Sequence, residues 1–496
     1  MRFGPGAGPL LCNHRICFHH QSFKPPVSLC VREDRRICAC VSCVPRPERN
    51  STEAVVQGCG KKLPNLEGRK ATVRVLMVLF KDIHYDARVQ REAVALAQAG
   101  WYVDIACLHI LPDPPPVLHD RVRLLRFPVH TKRIKHYVDQ KTNPSIQKGV
   151  YRVVRTPMIQ IAKDAMTRKH FATQLWELCE HACYDVVHCH DVHALSIGVY
   201  LKRKKGLTLI YDAQGLFDEK NEKRWEQVRE HRAESRWMDC VDYLITVNEL
   251  FEAEYNQRYP DISTTVLRNI PESLPRLPSE KNYFHRRFGL NSEDRVVLYQ
   301  GRFTRNRGLE ELIEAFVPLP SQHKLVLLGY GEWKEQILRR IEDRKLQDRI
   351  FFHPPLLPKE LLQVTSHADL GAVLYQSTCM TGHLTTPTNL LEYIQAGLPV
   401  VSSDHPGKAI VVGTYQTGRL VDPQNITEIT GAIREILSNP DAFLIGTYKA
   451  RKLLQWGKEQ ERLVELYRQV HLNRREWPEK DQEEDAISIQ PHLRQL

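Results

Sequence analysis

The run VRVLMVLF at residues 73–80, followed after a short polar step by ARVQREAVALAQAG at 87–100 and WYVDIACL at 101–108, decides the fold. An apolar run with hardly a polar interruption is what a strand covered on both faces requires. The middle segment changes period. Val89, Ala93, Leu96 and Ala97 recur at helical spacing, Asp86 stands where an N-cap carboxylate would accept the free N–H groups of the first turn, and Gly100 stands where the helix must stop. Two strands joined by a helical crossover pair in parallel, so the unit is βαβ and the fold class is α/β.

The unit repeats along the chain. YDVVHCHD, LTLIYDAQG and VDYLITVN read as further strands of a first series. After the proline-rich polar stretch IPESLPRLPSEKNY, taken as a linker, RVVLYQG, KLVLLGYG, RIFFHPP, ADLGAVLY and LPVVSS alternate with helices such as LEELIEAF and EWKEQILRRIEDRK. The expectation is two Rossmann-like, doubly wound domains facing a cleft, at 70–275 and 276–450. A closing helix at 451–472 follows, with a leader at 1–69 and a tail at 473–496 that both read as disordered.

Net charge is +11, which favours phosphates, anionic membrane surfaces or nucleic acid without choosing among them. Nucleic acid is set aside because the basic residues are not interleaved with aromatics that would stack bases. Residues 132–170 are dense in Lys, Arg and His, with Ile146, Val150, Val153, Met158, Ile161 and Ala165 at near-helical spacing. They read either as a solvated amphipathic helix or as a surface for anionic lipid or substrate. No apolar run approaches the roughly 18–20 residues that cross a bilayer, and the opening MRFGPGAGPLLCNHRICFHH lacks the shape of a secretory signal. A cytoplasmic protein is expected, with peripheral contact at the inner membrane surface through the basic stretch left open. Cys38, Cys40 and Cys43 with His14, His19 and His20 match no zinc spacing closely, and Cys107 and Cys189 read as buried thiols.

Ligands of such sheets bind outside the carboxyl ends of the strands. In YQGRFTRNRGLEELIEAF a strand ends in Gly301, a loop carries Arg302, Arg305 and Arg307, and a helix begins near Gly308. Free N–H groups, helix dipole and guanidinium forks there make an anion cradle. Gly329 and Gly331 repeat the design more weakly, as positions where a ligand's backbone can come close. At the other strand ends stand His190, Asp191 and Asp212, and His188 shares a strand face with His190, so a metal pair is geometrically open beside sugar binding or acid–base work. Glu392, in TTPTNLLEYIQAGLPVV at 385–401, reads as lying in the first turn of a helix of about ten residues, facing either the helix dipole or a ligand hydroxyl.

Taken in order, DARVQREAVALAQAGWYVDI, DVVHCHDVHAL, LIYDAQGLFDE, DYLITVNE, LYQGRFTRNRGLEELIEAF, LVLLGYGE and PTNLLEYIQAGLPVVSSD resemble the glycosyltransferase family 4 enzymes over about residues 72–470. The resemblance implies a GT-B fold and a retaining, metal-independent transferase. No resident cofactor is implied; a nucleoside diphosphate sugar serves as co-substrate. It implies catalytic roles for Arg302 and Arg307 at the diphosphate and His190 near the transferred sugar. Donor contacts would come from Gly301, Gly329, Gly331, Asn389, Leu390 and Glu392, the last on the ribose hydroxyls, and from the backbone of Gly382 and His383. Asp86, Arg88, Asp191 and Asp212 would face the acceptor side.

Departures are Leu384, where many members carry a sugar-contacting Glu; Asn389, where many carry Lys; and Ala213-Gln214-Gly215 in place of Ser-His-Glu. The implied function is transfer of a hexose from a UDP- or GDP-linked donor to a hydroxyl of a glycan or lipid-linked glycan. The alternatives are a catalytically silent nucleotide-sugar-binding scaffold and a GT-B-like sugar-nucleotide epimerase or phosphorylase.

Overall fold

The computed structural model describes residues 73–111, 113–128, 157–215, 232, 234–376 and 379–475. The leader with its Cys and His cluster, residues 132–156 of the basic stretch and the tail beyond Arg475 lie outside the described residues. No helix among the described residues is long and apolar enough to cross a membrane.

Seven parallel strands form the first sheet: β1 Arg74–Leu79, β2 Tyr102–His109, β3 Val122–Pro128, β4 Val186–His190, β5 Thr208–Ala213, β6 Tyr243–Thr246 and β7 Ser263–Val266, in the order β3-β2-β1-β4-β5-β6-β7. Six more form the second: β8 Arg295–Arg302, β9 His323–Tyr330, β10 Ile350–His353, β11 Leu370–Val373, β12 Val400–Ser403 and β13 Gly418–Val421, in the order β10-β9-β8-β11-β12-β13. The helices that position the polar strand ends and tie the domains together are α1 Ala87–Gln98, α2 Val192–Lys205, α3 Glu249–Arg258, α4 Leu309–Phe316, α5 Pro358–Thr365, α6 Thr388–Gln395, α7 Pro406–Tyr415 and α8 Trp456–Arg475.

Each sheet separates two apolar layers, which is why β1 is apolar after Arg74 and why β4 and β5 are buried along their whole length, polar residues included. Asp86 caps α1 as expected, its carboxylate accepting the Val89 N–H at 3.1 Å, and Gly100 follows the helix at φ +105°. The linker runs from 267 to 282 without helix or strand.

The closing segment differs from expectation. The helix expected at 451–472 straddles a break at Leu454–Gln455, and α8, which starts at Trp456, returns to the first domain. There Trp456, Leu463, Leu466, Tyr467 and Val470 join the layer formed by β1, α1 and β2. Glu459 of α8 fastens the hinge by accepting the Arg268 backbone N–H at 2.9 Å. A second tie crosses the domains at Asn248. Its Oδ1 accepts the Phe251 N–H at the start of α3 (2.9 Å), while its Nδ2 donates to the Leu384 carbonyl (2.8 Å) and the Thr386 hydroxyl (3.1 Å).

Leu463 is fully buried in the layer that α8 shares with β1, α1 and β2 of the first domain. Leu463→Ala is expected to lower stability by about 2–5 kcal/mol. The loss should appear in hydrogen exchange as earlier opening of β1 and β2; an effect confined to α8 would overturn the view that α8 completes that domain's core.

Candidate active site

The carboxyl ends of β8 and β9 open onto a cavity of about 690 Å³. Gly301 and Gly329 face each other in register at positive φ, 144° and 150°. A Cβ on Gly329 would stand 1.8 Å from the Gly301 carbonyl oxygen, and one on Gly331 would stand 2.1 Å from that of Phe303. Glycine is required here because protein backbone approaches protein backbone, a nearer cause than the approach of a ligand expected from sequence.

Arg302, Arg305 and Arg307 line the cavity. Arg307 lies over the Tyr375 ring at 4.1 Å, a contact that pre-positions the guanidinium. Arg302 is largely exposed and pairs with Glu332 at 3.7 Å, a bond weak enough to be exchanged for one to a ligand. The loop ends at Gly308, the N-cap of α4, whose free N–H groups add to the preference for an anion. Behind the wall, Lys408 of α7 is fully buried; its ammonium donates to the Gly382 carbonyl and sits 5.6 Å from the Tyr375 ring. Burial and the Arg307 charge pull its pKa down to about 8.

Glu392 is also on the cavity wall. Helix α6 has eight residues and begins at Thr388, so Glu392 is its fifth residue and lies outside the first turn, contrary to the sequence expectation. The dipole account needs a first-turn position. What the structure supplies is a hydrogen bond from the Gln300 amide. Burial pushes the carboxyl up to about 6, against that bond and the charge of Arg91.

At the carboxyl ends of β4 and β5, Arg88 of α1 grips Asp212 with Nε and Nη2, both at 2.8 Å, and donates through Nη1 to the Leu267 carbonyl at 2.8 Å. Its Nε is also 2.9 Å from Glu92. His190 Nδ1 is 3.2 Å from Asp212, and His188 Nδ1 is 3.0 Å from the Tyr467 hydroxyl of α8. Every one of these side chains is buried. Burial alone would raise the Asp212 carboxyl, but Arg88 and His190 hold it well below the usual range. Burial and Asp212 push Glu92 up to about 7 despite Arg88. Glu92, His188, His190 and Asp212 lie close enough to share an ion, yet Arg88 already engages both carboxylates, so the donor set does not fit a metal pair.

Residues 280–468 match the family described as Glycosyl transferases group 1, and residues 85–269 match the Glycosyl transferase 4-like domain. The chain belongs to the group 1 glycosyltransferases. It is 24% identical over 347 residues to the uncharacterized glycosyltransferase YqgM of Bacillus subtilis, covering 67% of this chain and 87% of that one. It is 26% identical over 280 residues to the D-inositol 3-phosphate glycosyltransferase of Mycolicibacterium smegmatis, covering 53% and 62%. Sucrose-phosphate synthase from Thermosynechococcus elongatus shares its fold with a TM-score of 0.65 at 20% identity, over 81% of this chain and all of that one. The Anabaena protein HepE, solved in complex with UDP, shares it at 0.56 and 14%, over 82% and 100%.

In this glycosyltransferase Gly301, Arg302, Arg307, Gly329, Gly382, Asn389 and Glu392 come together on one cavity. Gly331, His383 and Leu390 do not line it: Gly331 packs on Phe303, His383 lies beside His405 with ring centroids 5.2 Å apart, and Leu390 is core. On the first domain, Asp86, Arg88, His190 and Asp212 converge but are buried, with Arg88 of α1 reaching across to Asp212, so no open acceptor surface is formed by them. Asp191 is the more accessible of the group. It holds φ +73° at the turn into α2, a conformation that costs on the order of 1–3 kcal/mol, and pairs with Lys81 at 3.4 Å.

Sequence reasoning missed Gln300 and Lys408. The available signals were a Gln inside an otherwise apolar strand and a Lys directly after His-Pro-Gly at a helix start.

Because folded Glu92 keeps its proton to about pH 7, against an ordinary 4.5, the native state binds more protons than the unfolded chain in that window, and stability falls as pH rises through it. Glu92→Gln is therefore expected to gain on the parent between about pH 5 and 7 in urea midpoints. A variant losing ground over that range would show that the ionised Arg88–Glu92 pair dominates.

Proposed function

We propose that this chain is a retaining hexosyltransferase that moves a hexose from a UDP- or GDP-linked donor to a hydroxyl of a glycan or lipid-linked glycan, with no divalent metal. One observation carries the reading: a single cavity holds a cluster of guanidinium groups at a helix N-terminus and, on another wall, a half-buried carboxylate. A diphosphate needs the first and a ribose diol the second. The HepE complex with UDP and the inositol phosphate specificity in the name of the Mycolicibacterium relative support a nucleotide-linked donor and a hydroxyl acceptor.

In this mechanism the acceptor oxygen bonds to the anomeric carbon on the face from which the diphosphate departs. The carbon–oxygen bond to phosphate breaks, and the leaving phosphate oxygen takes the hydroxyl proton. Arg307, held by Tyr375, and Arg302 meet the charge that develops on that oxygen, which is where fixed cations lower a barrier most. Lys408 adds positive potential from behind the wall. No side chain is assigned as a nucleophile.

A scaffold that binds the donor without turnover is the competing reading, favoured by Leu384, which packs against the first domain's core instead of offering a polar group to a sugar.

With chelator present, one nucleoside diphosphate among UDP, GDP and ADP, or its sugar conjugate, is expected to raise the melting temperature clearly above the others. Arg307→Ala should lower turnover by about 10²–10³-fold. Donor binding with neither transfer nor donor hydrolysis in the parent protein would favour the scaffold, and near-normal turnover in both Arg302→Ala and Arg307→Ala would overturn their assignment.

A further inference from the structure

Gln300 sits at the cavity end of β8, 2% exposed, in a strand whose preceding residues Val296–Tyr299 are apolar. A buried carboxamide is costly unless each of its groups is paired, and here every group is. The Gln300 backbone N–H donates to the Tyr393 hydroxyl at 2.8 Å, and Tyr393 passes its own proton to the Leu298 carbonyl at 3.0 Å. The Gln300 carbonyl accepts from Asn389 Nδ2 at 3.1 Å. In the side chain, Nε2 donates to Glu392, and Oε1 accepts from the fully buried Thr365 hydroxyl of α5 at 2.7 Å.

We propose that Gln300, with its carboxamide oriented by Thr365, is a positioning residue that acts through Glu392, holding that carboxylate in the ionised rotamer that accepts a vicinal diol. The inference rests on the donor reading proposed for the cavity and concerns how the ribose end of that donor is recognised.

The geometry supports this through the direction of the hydrogen bonds. The Thr365 oxygen is also 2.8 Å from the Leu361 carbonyl, so its single proton has two acceptors within reach. If that proton goes to Gln300 Oε1, the amide must present Nε2–H to Glu392, which suits a carboxylate. If it goes to Leu361, the amide can turn end for end. Nε2 then donates to Thr365, and Oε1 faces Glu392, a pairing that is complete only when Glu392 carries a proton. The network therefore has two states, each with a donor matched to an acceptor at both side-chain contacts of Gln300, that differ by one proton.

Only the ionised state leaves Glu392 free to accept from ligand hydroxyls. In the other, its O–H is taken by Gln300. Of the groups facing Glu392, Arg91 of α1 favours the ionised form, the Tyr375 and Tyr393 hydroxyls are neutral, and burial opposes ionisation. Gln300 and Arg91 thus act together against burial. A leucine in place of Gln300 removes the donor and leaves the carboxyl to burial.

The test is calorimetric titration of the full chain with UDP and GDP and with their 2′,3′-dideoxy counterparts, which lack both hydroxyls of the diol, from about pH 5 to 8. In the parent protein the ribonucleotide should bind better than the dideoxynucleotide, with the preference fading as pH falls through Glu392's titration near 6. Gln300→Leu is expected to weaken ribonucleotide binding roughly tenfold, to leave dideoxynucleotide binding unchanged and to move the pH midpoint upward. Thr365→Val, which keeps shape and changes nothing on the cavity wall, should do the same more mildly. Adding Glu392→Gln to Gln300→Leu should cost nothing beyond Glu392→Gln alone.

The inference is overturned if the two variants retain the ribose preference and its midpoint, if the losses of Gln300→Leu and Glu392→Gln add, or if dideoxynucleotide binding falls equally. If the parent binds neither UDP nor GDP, it is the donor reading that has failed, and the inference falls with it.

Discussion

Strands in a parallel sheet deliver their carboxyl ends to the same edge, and most of this molecule's chemistry follows from that constraint. Every strand pairing in both sheets is parallel. The loops after β4, β5, β8 and β9 therefore carry the polar residues, and the helices that follow β4 and β8 begin there, adding oriented N–H groups. The Gly301–Gly329 pair shows how tightly that edge is drawn in the second domain: the two strand ends approach until Gly329 has no room for a side chain against the Gly301 carbonyl.

The two domains use the equivalent edge in different ways. In the second, cations are left accessible and are only lightly engaged, Arg302 by an exposed carboxylate and Arg307 by an aromatic face. Their attraction is available to a ligand. In the first, Arg88 of α1 reaches over the edge and is used up internally on Asp212, Glu92 and the Leu267 carbonyl. A buried ion pair of this sort adds little net stability over an apolar substitute, but losing one partner strands the other. It fixes where α1, β5 and the hinge stand relative to one another.

How much of this was legible in the sequence depends on how local each feature is. β1, α1 and β2 were readable because burial on two faces and on one face write different periods into neighbouring segments. β3, β7 and β13 were not: VRLLRFP carries two arginines, one of which pairs with Asp104 of the adjacent strand, while STTV and GRLV are four residues each with little apolar content. Arg302 and Arg307 were legible because strand, loop and helix follow one another directly. Gln300 was not, since its partner lies 92 positions away. The position of His190 at a strand end was also readable, but its enclosure depends on Arg88 reaching Asp212 across 124 positions, which no local pattern records.

Helix α8 belongs by sequence to the end of the chain and by packing to its beginning. Its apolar face fills the layer beside β1 and α1, and its Tyr467 reaches the first domain's His188. On a ribosome, which emits the chain from its amino end, the first domain would thus emerge with one wall of its core missing and stay so until nearly all the described chain had been made. The second domain has no such debt to a distant segment. The domain translated later can close first, and the earlier one must wait, with apolar surface uncovered, for the chain to come back to it.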